Sequence, residues 1–314
     1  LFEGGVVRAE FAAQLTKSGF SRIAVGDWVC LRIVPEHEVA QAVGIVLREN
    51  DIARWRGGSR GERQTLAANV DLVLVVQPLG GDGGAGLARI ARSALVAADC
   101  HARIAVVLTK ADRLDVEGTV RAVAGVRELL GDGVPVVVTS AADVARECES
   151  RGEAVRALGA SWGLDGVREL VPKGTVSIVL GESGAGKSTV LNRILGYDVL
   201  KTGAVRGRDG AGRHTTVARR MVRLPGGGVI VDEPGLRSLP LVGHERGLAA
   251  LFPEVARVAQ ECRFRDCTHT HEPGCAVRRA LFDKTCERAR VDAWVALAAE
   301  MRTGASSLDP DVVL

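Results

Sequence analysis

Gly181-Glu182-Ser183-Gly184-Ala185-Gly186-Lys187-Ser188-Thr189 decides the reading of this chain. A β-branched run, Thr175 to Leu180, precedes it, and Val190, Leu191, Ile194 and Leu195 follow at helical spacing. Strand, glycine loop and helix in that order are the context that a GxxxxGK[ST] phosphate loop requires. The glycines let consecutive backbone N–H groups turn towards phosphate oxygens, and the helix N-terminus adds partial positive charge. Lys187 is then placed to reach the β- and γ-phosphates of a nucleotide, and the Ser188 hydroxyl to ligate Mg²⁺.

Working outward, the grammar from Asn69 onward alternates strands with helices. Asp71 to Gln77 reads as a buried strand, Leu87, Ile90 and Leu95 as a helix face, and Ile104 to Leu108 as a second strand. A helix around Val120 to Leu130 and a strand over Val134 to Val138 come next. This alternation predicts a doubly wound parallel sheet covered by helices, with ligands at the carboxyl ends of its strands. Two strand ends carry matching chemistry. In Thr109-Lys110-Ala111-Asp112, a T/N-K-x-D element, the Asp112 carboxylate can accept from guanine N1–H and the exocyclic amine, a donor pair adenine lacks. The Lys110 stem can lie over the purine, and a backbone N–H at Ser140-Ala141 can meet guanine O6. Beyond the phosphate loop, Val229 to Val231 runs into Asp232-Glu233-Pro234-Gly235, a D-x-x-G element. Asp232 would hold Mg²⁺ through water and the Gly235 N–H would sense the γ-phosphate. Between the two lies Gly212-Arg213-His214-Thr215-Thr216, where Thr215 or Thr216 can complete the Mg²⁺ shell. These two segments read as switches.

The order of the motifs is unusual. An ordinary GTPase meets the phosphate loop, then the switches, then the base-reading elements; here the base-reading elements come first. The domain is therefore expected to be circularly permuted, with whatever follows Gly235 attached to the part that moves.

The flanks differ from this centre. Residues 1–68 read as short β-strands broken by Gly26-Asp27, Pro35-Glu36 and Asn50-Asp51, a pattern for a small barrel. Trp55 with Arg48, Arg54, Arg56, Arg60 and Arg63 fits either a nucleic-acid surface or a solvated arginine-rich loop. After the switches comes Cys262-x4-Cys267-x-His269-x5-Cys275, three thiolates and an imidazole that suit one closed tetrahedral Zn²⁺ site, with His271 as a spare imidazole. Too small for a core of its own, this segment would draw folding energy from the metal. Cys30, Cys100, Cys148 and Cys286 read as buried thiols. Helices over Val277–Arg290 and Val291–Arg302 are expected to pack on the metal segment, and 303–314 to form a frayed tail. The expected division is thus 1–68, 69–240 and 241–314.

Over the whole chain, 314 residues give room for two or three domains. No apolar run is long enough to span a membrane and no segment reads as a signal peptide, so a cytoplasmic protein is expected. Net charge is only +3, but Lys201 to Arg223 holds seven basic residues against Asp209. His214 in that stretch can position the attacking water, since Leu236 offers no polar group after D-x-x-G, or it can contact RNA phosphate.

Permuted order, G-x-S-G-x-G-K-S, G-R-H-T-T, D-x-P-G and C-x4-C-x-H-x5-C together resemble the bacterial ribosome small-subunit-dependent GTPase A (RsgA/YjeQ) family. Cys262-Arg-Phe-Arg-Asp-Cys267-Thr-His269 and Ala67-Ala-Asn-Val-Asp71 carry the resemblance further. It implies an N-terminal OB-fold, a C-terminal zinc domain with His269 as the imidazole ligand, and nucleotide contacts along Gly181, Glu182, Ser183, Gly184, Ala185, Gly186, Lys187, Ser188 and Thr189. It further implies a monomeric factor that binds the 30S subunit and its 16S rRNA late in maturation, with hydrolysis stimulated by the subunit. Thr109 stands where the family usually has Asn, which leaves open the hydrogen bond an asparagine offers near guanine N7; Glu233 also departs, from a small hydroxyl residue. Two other readings remain: an RNA-binding module whose nucleotide site tunes affinity, and an ATP-using P-loop protein.

Overall fold

The computed structural model describes residues 7–13, 15, 23–33, 39–56, 62–80, 85–140, 145–197, 220–232 and 241–306. Its centre is a sheet built from β6 (Leu72–Pro78), β7 (Arg103–Thr109), β8 (Val136–Val138), β9 (Ser161–Trp162), β10 (Val176–Leu180), β11 (Arg220–Arg223) and β12 (Val229–Asp232). The strand order is β11-β12-β10-β6-β7-β8-β9. All neighbouring pairs are parallel except β11 with β12. That antiparallel edge departs from an all-parallel expectation. Only the short turn from Leu224 to Gly228 joins these two strands, and a tight turn can close only an antiparallel pair.

β6 reads Leu-Val-Leu-Val-Val-Gln-Pro and all but its last residue are buried, as a strand covered on both faces must be. Alternation divides its side chains. Val73 and Val75 join one core with Val106, Leu108, Ile178 and Leu180, while Leu72, Leu74 and Val76 join another with Ala105, Val107 and Val179. The first core takes α1 (Ala85–Asp99) and α2 (Val116–Leu130); the second takes α4 (Leu164–Leu170) and α5 (Lys187–Leu195). α3 (Ala145–Ala157) lies between β8 and β9 in the chain and adds Val155 to the first core. Asp115 starts α2 by accepting from the Gly118 N–H, an N-cap bond that satisfies one of its free donors.

Ahead of this sheet stand two smaller ones. β1 (Ala9–Phe11), β3 (Ala40–Ile45) and β2 (Val29–Arg32) form one, and β4 (Asp51–Arg56) with β5 (Glu62–Ala68) the other. Val25, just ahead of β2, makes an isolated parallel bridge to Ala67 of β5. Asp27 anchors the region: it accepts two bonds from Arg48, at 2.6 and 2.7 Å, and one from the Ala24 N–H. The Ala67-to-Asp71 string is the joint to the large sheet. Asn69 donates to the Gly26 carbonyl, Asn50 exchanges two bonds with Val70, and Asp71 accepts from the Val176 N–H. Cys30 is exposed, contrary to expectation, whereas Cys100 and Cys286 are buried. It sits on a short strand with alternating exposure, so the pleat turns it outward.

Downstream, α6 (Glu245–Leu251), α7 (Pro253–Ala259), α8 (Ala276–Phe282) and α9 (Arg288–Ser306) extend the first core instead of building a separate one. Phe252 is fully buried, meets Trp294 edge to face, and lies 5.0 Å beneath the Arg290 guanidinium. Arg290 also donates to both Glu254 oxygens and to the carbonyls of Leu129 and Leu251, tying α9 to the end of α2. The expected tail from 303 is helical as far as Ser306. No helix among the described residues is long and apolar enough to cross a membrane.

Candidate functional site

Parallel strands deliver their carboxyl ends to one edge, so the ends of β6, β7, β8, β10 and β12 share a rim. The phosphate loop leaves β10 at Gly181 because no other residue fits there: a Cβ would lie 2.3 Å from the Val76 carbonyl oxygen of the adjacent strand. The loop then turns through Gly184 and Gly186, both at positive φ, into the first turn of α5. Lys187 folds back along the loop, where its ammonium donates to the Gly181 and Glu182 carbonyls. Ser188 and Thr189 follow in that first turn, and Asp232 ends β12, the strand beside β10.

The base-reading strand ends lie against this loop. Thr109, buried at the end of β7, donates its hydroxyl proton to the Ala185 carbonyl at 2.5 Å. Lys110 has a left-handed backbone and donates to the Gly184 carbonyl at 2.5 Å. Partial burial and the Arg113 charge lower its pKa, against the pull of Asp112. Asp112 accepts from the Ser140 hydroxyl at 2.6 Å, which joins the ends of β7 and β8. A cleft lined by Lys110, Ser140, Leu164, Gly186 and Arg193 opens among them. Ala141, His214, Thr215, Thr216 and Gly235 lie outside the described residues.

Ser140 was expected to offer backbone, yet its side chain also takes part. The pairing of Arg89 on α1 with Glu182 in the loop, at 2.7 Å, has no signal in the sequence, because 93 positions separate the partners.

Cys262, Cys267, His269 and Cys275 form a second site. One donor atom from each lies within 4.8 Å of the others, a set that can hold a metal ion. His269 Nδ1 is 3.6 Å from the sulfurs of both Cys262 and Cys275, and those sulfurs are 3.9 Å apart. His271 is outside this set; its Nδ1 meets the Thr270 hydroxyl. Burial, with two neighbouring thiols, pushes the Cys267 thiol up to about 12, so a metal binding here must displace a tightly held proton. Burial also lowers the His269 pKa, which keeps its imidazole neutral and able to ligate. Glu272, which sequence reasoning passed over, holds the loop in shape: its carboxylate accepts from the Thr268 hydroxyl and from the N–H groups of Thr268, Thr270 and His271. These bonds depress its pKa. A Thr-x-Thr-His-Glu string is the signal that was available.

Known proteins resemble this chain in sequence and in fold. The family model described as RsgA GTPase matches residues 45–242. A small ribosomal subunit biogenesis GTPase RsgA of Opitutus terrae is 42% identical, over 91% of this chain and 75% of the relative. The protein of that name from Streptomyces avermitilis is 38% identical, over 95% of this chain and 74% of the relative. Among solved structures, YjeQ from Thermotoga maritima matches with a TM-score of 0.64 at 23% identity, covering 94% of this chain and 89% of that one. YloQ, described as a circularly permuted GTPase, matches at 0.60 and 18%, covering 95% and 87%. These two likenesses bear on fold alone: a circularly permuted GTPase with a mixed α/β sheet. With a family model over most of the central sheet and relatives above 30% identity along nearly the full length, this chain belongs to the RsgA GTPase family.

Proposed function

We propose that this chain hydrolyses GTP as a switch in late maturation of the 30S ribosomal subunit, binding 16S rRNA and being stimulated by the subunit. The observation that carries the reading is the convergence at one rim: Thr109 and Lys110 bond to phosphate-loop carbonyls, while Asp112 is bonded to Ser140, which lines the same cleft as Thr109 and Lys110. Asp112 reads the guanine N1–H and amine, and the backbone at Ser140-Ala141 meets O6. Residues from Gly181 to Thr189 wrap the phosphates. Lys187 exchanges its two loop carbonyls for phosphate oxygens, because a cation beside anionic oxygens outweighs one beside neutral carbonyls. Ser188, Asp232 and Thr215 or Thr216 would hold Mg²⁺, which would neutralise charge on the transferring phosphate, and the Gly235 N–H would sense the γ-phosphate. His214 positions water once RNA orders its segment.

The metal of the second site is zinc in this reading. A tetrahedron with Zn–S bonds of about 2.3 Å and Zn–N of about 2.0 Å has edges of roughly 3.8 and 3.5 Å. The spacings of 3.9 Å between sulfurs and 3.6 Å from sulfur to nitrogen fit it. Four protein ligands make the zinc structural. The units are 1–68, an OB-like barrel; 69–240, the permuted GTPase; and 241–314, a zinc-binding helical unit packed on the second. The protein works as a cytoplasmic monomer.

GTP turnover measured with and without purified 30S subunits tests this. Stimulation by the subunit, lost in His214→Ala with GTP and 30S binding retained, is the expected result. Turnover indifferent to 30S would overturn the ribosomal role.

A further inference from the structure

Residue 109 stands at the border between base and phosphates, and its chemistry there is limited. A threonine hydroxyl has one proton to give. In this chain the proton goes to the Ala185 carbonyl at 2.5 Å, from a residue that is only 3% exposed. The approach is close on both sides: a Cβ on Gly186 would already lie 3.4 Å from the same Thr109 oxygen. Lys110 makes a parallel tie to Gly184. Guanine N7 is an acceptor and needs a donor.

We propose that Thr109 is a positioning residue that tethers the phosphate loop and does not read the base, so that purine N7 goes unread by this residue and selection rests on the Asp112 edge of the ring. This rests on the guanine reading of the cleft given above. An asparagine at 109 would differ in kind, since its amide carries two protons and can serve Ala185 and N7 together. A valine matches threonine in shape but has no proton for either.

Displacement of a fluorescent guanine nucleotide by GTP, 7-deaza-GTP and ITP separates the two readings. The full-length wild-type protein should bind 7-deaza-GTP within twofold of GTP, because nothing at 109 is lost when N7 becomes carbon. Thr109→Asn should favour GTP over 7-deaza-GTP by threefold or more. Thr109→Val should weaken both together by about two- to tenfold, the worth of one buried hydrogen bond, and Thr109→Ser should restore wild-type behaviour. A wild-type penalty of fivefold or more on 7-deaza-GTP that disappears in Thr109→Val would overturn the proposal. The wild-type comparison stands even where a variant fails to fold. ITP, which lacks the exocyclic amine, reports Asp112 separately: ITP binding as tightly as GTP would remove the guanine reading, whatever 7-deaza-GTP does.

Discussion

The nucleotide cleft and the Cys/His loop are held together in opposite ways. The cleft is gathered from strand ends as distant in sequence as Thr109 and Asp232, and protein groups bond it internally: Thr109 to Ala185, Lys110 to Gly184, Ser140 to Asp112. The other site is one short stretch, residues 260–275, with neither helix nor strand. The Cys262 and Cys275 sulfurs and the His269 nitrogen approach one another at 3.6–3.9 Å, contacts too long to act as strong bonds. The first site is a property of the sheet and should survive loss of its ligand. The second depends on its ligand. The contrast teaches that a chemical group can be essential to reaction without being essential to fold, and the reverse, and each variant below is placed on one side of that line.

The largest effect falls on the cleft. Lys187→Ala removes the cation from the phosphates and should lower GTP turnover by about a hundredfold or more, while leaving the thermal midpoint close to wild type. A large drop in stability would mean that the lysine bridge to Gly181 and Glu182 supports the loop itself, and the contrast would fail on that side.

Cys267→Ala tests the other side. The purified protein should contain about one zinc per chain; the variant should lose it, and residues 260–275 should become sensitive to protease. GTP affinity should stay within about twofold of wild type. Metal-free protein whose C-terminal segment keeps its protection would break the comparison. A loss of GTP affinity would show instead that α6 to α9, which share a core with α1 and α2, carry the disturbance to the cleft.

A smaller change sharpens the cleft alone. Asp112→Asn exchanges an acceptor for a group that pairs with xanthine, so GTP should weaken by about tenfold or more while XTP binding appears. Unaltered GTP affinity would mean that the base is read elsewhere.

These sites were unequally legible. The phosphate loop and the buried strands declared themselves because a strand covered on both faces must be apolar throughout, as in Leu72–Pro78, and because Gly181 tolerates no Cβ. The metal set was legible because its ligands are near neighbours in sequence, although only the fold turns His269 inward and His271 out. Ties across sequence were not: Ser140 with Asp112, Arg89 with Glu182 and Arg290 with Glu254 are ordinary polar residues until the sheet and helices bring them together. A frayed tail was expected from residue 303, yet α9 continues to Ser306, and at Gly304 any Cβ would meet the Leu241 carbonyl at 2.9 Å. The N-terminal sheets gave a β reading, but strands this short leave pairing to tertiary contacts such as the Arg48–Asp27 bond.

The seam joining the two regions gives the smallest expected effect. Asp99, at the end of α1, accepts from the Gly247 N–H at 3.0 Å and meets His244 Nδ1 at 2.8 Å, which fixes the start of α6. Burial pushes the Asp99 pKa up, but the His244 bond and charge, the Gly247 N–H and Arg246 outweigh it, and the net shift is downward. A carboxyl with a depressed folded pKa contributes stability that is present above its ordinary value of 3.8 and is lost as pH falls through the folded value. Asp99→Asn should therefore cost about 1–2 kcal/mol at neutral pH, and the gap between variant and wild type should close as the pH drops below 3.8. Denaturant unfolding at pH 7 and at successively lower pH measures both. A gap that stays constant into acid would assign the seam to packing around Leu248 and Phe252, with no part played by the carboxylate charge.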